Sequence, residues 1–480
     1  MTGKRNSKLV LITSIVLTII LCLGMALPVF AEKENYSEGE SSTKPAKAAL
    51  TKVFNMPAGT TTPKAEFIFK FVKVGMNDPL DSATETKNKM PDIPDVKISY
   101  TAGEEPAGGT FVNGDTKSVV KESDNFLKDI TSDMWENDAG IYKYKVYEDS
   151  TDGNSSITLS EDAINQGTAY SKAEYDVEIW VDEEEDEDGN GTGIFYPKYV
   201  CVKIIPGSKD EYYTEEGTPG DGKVDPTPGE DKKIPGTPSS IENDFSHVIF
   251  TNKYWESNGG GEEKPKITAL EIIKKITGNG SEPDKYFDFT VKVTQPSVIP
   301  LDPDATPDVP AQKYKAYVLD KEGKIVTSGK NYSGTLSQDA QNEYYIEFIS
   351  GAPLVISLTN EQRLAFVDLH IGSDVEVTEA AALNYIPKYQ RTFAGERAYK
   401  APDDTMAWGF PRIDEDDGPH IIAAGNNNIV TFTNARTGAT PTGISVNDLP
   451  YIMLIAIGIL SFAGFIIYKS RKTIKNDVQA

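Results

Sequence analysis

Ala48-Ala49-Leu50-Thr51-Lys52-Val53-Phe54 is a short, β-prone run with a lysine in an unusual place. Side chains alternate across an extended strand, so Ala48, Leu50, Lys52 and Phe54 share one face, and that face is otherwise apolar. Far downstream, Val248-Ile249-Phe250-Thr251-Asn252-Lys253-Tyr254 aligns Asn252 with Val248, Phe250 and Tyr254. Between them, Tyr142, Tyr144 and Val146 share a parity with Glu148. The order then repeats. Leu270, Ile272 and Ile276 flank Lys274; Val375 and Val377 lead to Glu379; Val430 and Phe432 lead to Asn434. Two successive blocks therefore read as all-β, each with a lysine, a glutamate and an asparagine on core-facing parities.

Burying such groups singly is costly, and a lone charged Lys or Glu costs most. Together they can react. An apolar pocket favours neutral lysine and protonated glutamate. Neutral lysine is a nucleophile toward the Asn carboxamide carbon, while the carboxyl polarises the amide and moves protons as ammonia leaves. Folding supplies the proximity that a weak nucleophile and a poor electrophile need. The expected product is an intramolecular Lys–Asn isopeptide bond in each block, Lys52–Asn252 and Lys274–Asn434, assisted by Glu148 and Glu379. The competing reading is that strand-end polar residues share core parity yet reach solvent.

Outward from these blocks, punctuation sets the organisation. Residues 32–47 are polar and read as a disordered N-terminal segment. Residues 48–254 form the first β block, interrupted by an acidic insertion at 182–191 and a Pro-rich one at 214–240 that is not expected to pack. Residues 255–266, with three consecutive glycines, read as a linker, and 267–436 form the second block. Glu148 and Asn252 are 104 residues apart, against 55 for Glu379 and Asn434, and the insertions account for much of that excess. Asp182 to Asp188 with Gly189 invites a calcium reading, but Phe195 occupies the twelfth position, where a carboxylate would close the loop. A solvated hairpin tip fits better, and no metal or cofactor is expected.

The ends say where the chain goes. Lys4, Arg5 and Lys8 precede an apolar run from Leu9 to Leu27, and Val29-Phe30-Ala31 offers small residues to a signal peptidase, so 1–31 read as a secretory signal peptide. Residues 449–468 are long and apolar enough to span a bilayer, and the basic residues in 469–480 mark a cytoplasmic tail. In 437–448, Thr440-Pro441-Thr442-Gly443 stands just before that span, the layout of a sortase sorting signal with cleavage between Thr442 and Gly443. It lacks the Leu and the intervening residue of Leu-Pro-x-Thr-Gly, and an ordinary membrane anchor after a linker is the alternative. Of the 48 Lys+Arg, 41 lie within 32–442, against 71 of the 73 Asp+Glu, so the expected mature chain repels nucleic acid. Of the two cysteines, Cys22 leaves with the signal peptide and Cys201 remains, so no intramolecular disulfide can form.

The blocks resemble the isopeptide-forming domains of the streptococcal major pilin family of the FctA or T-antigen type. Leu50-Thr51-Lys52-Val53-Phe54 and Ile273-Lys274-Lys275-Ile276-Thr277-Gly278 resemble that family's lysine strands. Gly140 to Glu148 and Val375 to Glu379 resemble its glutamate strands, and Phe250-Thr251-Asn252 and Phe432-Thr433-Asn434 its asparagine strands. The resemblance implies two tandem Ig-like β-sandwich domains in a cell-surface pilin subunit. Such a subunit is handed by a sortase at Thr442 to other pilin subunits or to peptidoglycan, after membrane insertion as a precursor. It also implies an acceptor lysine. Lys232 and Lys233 occupy that region of the family, and Lys198, in Tyr196-Pro197-Lys198, matches a motif of other pilin families but lies in an expected strand. The alternative is a monomeric sortase-anchored adhesin or stalk. A hydrolase is not expected: His247, His370 and His420 are the only histidines and lie in unrelated segments, and no nucleophile elbow is apparent.

Overall fold

The computed structural model describes residues 36–136, 138–151, 154–161, 163, 165–208, 210, 222–229, 245–258, 268–299, 312–327, 329–332, 337–392, 412–413 and 428–436, and short helical pieces at 453–455, 457–462 and 465. The fold is all-β, in four principal sheets.

Two sheets carry the first block. In one, strands run in the order Tyr36–Glu38, Gly191–Ile204, Glu174–Glu185, Gly140–Glu148, Ala65–Met76 and Val96–Tyr100. In the other the order is Thr110–Asn113, Thr116–Glu122, Thr51–Pro57, Ile249–Glu256 and Gln166–Ala169. Leu50, Phe54, Phe67, Phe69, Tyr144, Val146 and Phe250 belong to one buried apolar cluster drawn from both sheets. The strand alternation thus does what it encodes, with one face of each sheet turned inward. The second block repeats the plan. Ser337–Gln338, Tyr344–Ile349, Lys313–Leu319, Arg363–Phe366, Leu270–Thr277, Ile429–Arg436 and Tyr385–Thr392 form one sheet; Leu354–Leu358, Phe287–Thr294, Asp374–Glu379 and Arg412–Ile413 form the other. Leu270, Ile272, Phe287, Phe289, Val375, Val377 and Phe432 share its core.

In each block the first strand of the core lies beside the last, and the two run parallel. Lys52 is opposite Phe250 and Phe54 opposite Asn252; Lys274 is opposite Phe432 and Ile276 opposite Asn434. The asparagine therefore sits two residues beyond the lysine's partner in both blocks. This offset keeps the two side chains on the same face.

Three expectations need correction. Residues 36–47 are ordered where disorder was expected: Tyr36–Glu38 pairs with Tyr199–Cys201, and Tyr36 meets Tyr199 edge-to-face at 5.6 Å. A sheet edge offers main-chain partners to any extended segment, however polar its side chains. Part of the Pro-rich insertion packs: Lys223–Val224 pairs with Val202 and Lys203, and Val224 is buried. Residues 255–258 are not linker. Trp255 and Glu256 end a strand, Ser257 bridges to His370, and the Asn258 N–H donates to the Leu369 carbonyl at 2.8 Å, joining the two blocks.

The acidic insertion is the tip of the hairpin Glu174–Glu185/Gly191–Ile204, with Asp186 to Asn190 exposed. The signal peptide, Lys232, Lys233, Thr442 and Gly443 lie outside the described residues, as does half of 449–468. Among the described residues no helix is long and apolar enough to cross a membrane.

Candidate functional site

Each sandwich buries a cluster of a lysine, a glutamate and an asparagine between its sheets. Lys52, Asn252 and Lys274 are fully buried, Glu379 and Asn434 are 1% exposed, and Glu148 is 6% exposed. The lysine and asparagine come from adjacent strands of one sheet, and the glutamate reaches across from the facing sheet. It is placed there by its own pairing: Glu148 lies opposite Phe69 and Glu379 opposite Phe289.

In the first cluster the Lys52 ammonium donates to Glu148 Oε2 at 2.8 Å, and the Asn252 Nδ2 donates to Glu148 Oε1 at 2.6 Å. Asn252 Oδ1 accepts the Ser171 main-chain N–H at 2.7 Å. In the second cluster Lys274 and Asn434 Nδ2 both donate to Glu379 Oε1, each at 2.6 Å. Glu379 Oε2 and Asn434 Oδ1 are buried and have no hydrogen-bond partner among the described residues.

Both lysines sit over a phenylalanine. Lys52 Nζ lies 4.4 Å from the Phe67 ring centre and 5.8 Å from that of Phe69; the distances for Lys274 are 4.2 Å to Phe287 and 5.8 Å to Phe289. These rings exclude water and leave the amine little solvation. Burial pushes the Lys52 amine below its ordinary value against the opposing pull of Glu148, and takes Lys274 down to about 8 against that of Glu379. Burial also raises the Glu379 carboxyl, with Lys274 and Asn434 pulling the other way. The arrangement thus shifts lysine toward the neutral amine and, in the second cluster, glutamate toward the acid.

The phenylalanine pairs were not singled out from sequence. Their signal is a Phe-x-Phe in the strand after each lysine strand, Phe67-Ile68-Phe69 and Phe287-Asp288-Phe289. Lys198 is far from either cluster. It is the extra residue of a bulge, since Trp180 pairs with Tyr199 and Val181 with Pro197, and its half-buried side chain approaches the Tyr196 hydroxyl at 3.4 Å.

A chain of two β-sandwiches, each holding a buried Lys–Glu–Asn cluster, is the class that fold and site define. Residues 268–436, the second sandwich, match a protein family described as a domain of unknown function, DUF7601. Among solved structures, the chain is similar to the major pilin from Streptococcus pyogenes at 15% identity, with 81% of this chain and 99% of that chain covered and a TM-score of 0.25. It is also similar to the T3.2 major pilin protein of Streptococcus pyogenes (16% identity, 84% and 100% covered, TM-score 0.25). A third is the shaft pilin SpaA from Lactobacillus rhamnosus GG, at 8% identity, 82% and 100% covered and a TM-score of 0.16. No curated protein matches the chain.

Proposed function

We propose that this chain is a structural cell-surface subunit of the pilin type, stiffened by two self-made amide cross-links, Lys52–Asn252 and Lys274–Asn434. One observation carries the reading: in both sandwiches a single buried carboxylate lies within 2.8 Å of both the lysine nitrogen and the asparagine nitrogen. An ion pair made for stability alone needs no carboxamide, and burying it gains little over apolar packing.

The chemistry follows from the contacts. Glu148 Oε2 takes a proton from Lys52, and the freed amine attacks Asn252 Cγ. The Nζ–Cγ bond forms, Glu148 Oε1, which faces Nδ2, returns the proton to that nitrogen, and the Cγ–Nδ2 bond breaks as ammonia leaves. Glu148 also takes the second Nζ proton, which departs with the ammonia as ammonium. Glu379 performs these transfers through the one oxygen that faces both nitrogens. This is a single self-modification without turnover. By analogy with disulfide loops, closing about 200 residues in this way stabilises by roughly 5 kcal/mol.

Export through the signal peptide, sorting at Thr442–Gly443, and joining to a neighbour's lysine or to peptidoglycan complete the proposal. These rest on the sequence of the two ends, and adhesion is the role such a stalk supports. The mature chain, 32–442, is expected to weigh two ammonia molecules less than its sequence, and an unmodified mass refutes the cross-links. A native envelope extract should show an SDS-resistant ladder that Thr442→Ala abolishes; a single wall-linked band indicates the monomeric adhesin instead.

A further inference from the structure

The Asn252 carboxamide is held at both ends. Its Nδ2 faces Glu148, and its Oδ1 accepts the Ser171 N–H. A main-chain N–H can only donate, so this contact fixes which end of the carboxamide is oxygen. Ser171 lies just past the strand Gln166–Ala169, which pairs with the asparagine strand. Its placement depends on Asp210, a buried carboxylate. Asp210 Oδ2 accepts the Ser171 hydroxyl at 3.3 Å and the Thr251 N–H at 2.7 Å, and Oδ1 accepts the Thr251 hydroxyl at 2.6 Å. One side chain therefore holds both the residue preceding the electrophile and the residue that donates to the electrophile's oxygen.

Building on the amide-forming reading above, we infer that the Ser171 main-chain N–H is the oxyanion donor of the first site and that Asp210 is the positioning residue that aligns it. As Lys52 Nζ adds to Asn252 Cγ, the carbonyl π pair moves onto Oδ1, where the Ser171 N–H already points. When that pair returns, the Cγ–Nδ2 bond breaks and ammonia departs with the proton Glu148 delivers. A donor fixed in advance in a dry site stabilises developing charge without reorganising. In the second sandwich Asn434 Oδ1 has no such donor among the described residues.

The test uses the full chain made by cell-free translation, with a pulse of label and a chase. The two cross-linked peptides are then quantified by mass in the same sample, so the second site reports folding. Replacing the Ser171 main-chain N–H by an ester oxygen should slow the first site about a hundredfold relative to the second. Asp210→Ala should slow it about tenfold, while Asp210→Asn, which keeps an acceptor for Thr251, should stay within about threefold of the parent. An unchanged ratio in the ester or in Asp210→Ala overturns the inference. So does Asp210→Asn reacting as slowly as Asp210→Ala, because charge rather than alignment would then be at work. If the parent loses ammonia at neither site, the amide-forming reading itself fails; if it loses ammonia at both and no variant is selective, only the assignment of Ser171 and Asp210 fails.

Discussion

Glu148 divides its contacts, one oxygen to Lys52 and the other to Asn252, whereas Glu379 meets Lys274 and Asn434 with a single oxygen. The first cluster has a separate partner for each polar atom, while the second leaves Glu379 Oε2 and Asn434 Oδ1 unpartnered among the described residues. Buried polar atoms normally find partners. A proton on Glu379 would turn an orphaned acceptor into a donor, which agrees with the upward push that burial gives this carboxyl. On the proposed reading, the same three residue types at the same strand offset would reach one chemical outcome from two starting arrangements. The first is organised by its surroundings, the second by where its proton sits.

The largest expected effect removes the carboxylates. Glu148→Ala and Glu379→Ala should each restore one ammonia to the intact mass and leave the other site reacted. Each also strands a buried lysine, a loss on the order of 3–5 kcal/mol beyond that of the tie itself, visible as a lower melting temperature for that sandwich. If Glu379→Ala still loses two ammonia molecules, the second cluster does not use its carboxylate and the comparison breaks.

The pH dependence sharpens it. The reactive form of the second cluster carries one proton shared between Lys274 and Glu379, the same count as the ion pair. Its population is therefore flat with pH until Lys274 deprotonates near 8, above which no acid remains. The rate of amide formation at the second site should fall about tenfold per pH unit above that point. A rate that climbs through pH 8 would mean that the neutral amine alone suffices.

The aromatic floors should behave alike in the two sandwiches. Phe67→Ala and Phe287→Ala should each cost about 4 kcal/mol and slow amide formation in their own sandwich only, as read by melting temperature and peptide mass.

The smallest effect lies where the sandwiches meet. His370 is fully buried, faces the Tyr314 hydroxyl at 2.9 Å, and is pushed by burial down to about 4. Its folded value lies below its unfolded one, so between about pH 6.5 and 4 the unfolded chain binds the extra proton and stability is lost as pH falls. The loss approaches about 3 kcal/mol at the acid end. His370→Gln, which keeps an acceptor for Tyr314, should flatten this dependence in thermal melts.

Much of the site was legible because strand parity is a strong code: a lysine among Ala48, Leu50 and Phe54 has few places to go but the core. The pairing of lysine with glutamate followed from chemistry rather than from spacing. Ser171 was not legible, since its contribution is a main-chain N–H that every residue but proline carries. Asp210 is one more acid in a polar stretch of the sequence, and only the fold brings it against Thr251. The segment 36–47 misled for a related reason: its composition speaks for its side chains, while its order comes from the backbone of a neighbouring strand.

The parallel pairing of the lysine and asparagine strands has a mechanical consequence. The chain enters each sandwich at one end of this strand pair and leaves at the other. Tension between the ends therefore pulls the two neighbours past each other along their length. Their ladder bonds are loaded in shear and must yield together rather than peel one at a time. The cluster's lysine and asparagine sit on that same strand pair, so the proposed amide would pass the load from one strand to the next through a covalent rung. The body of the sandwich, with its long hairpin and its insertions, then hangs outside the line of force.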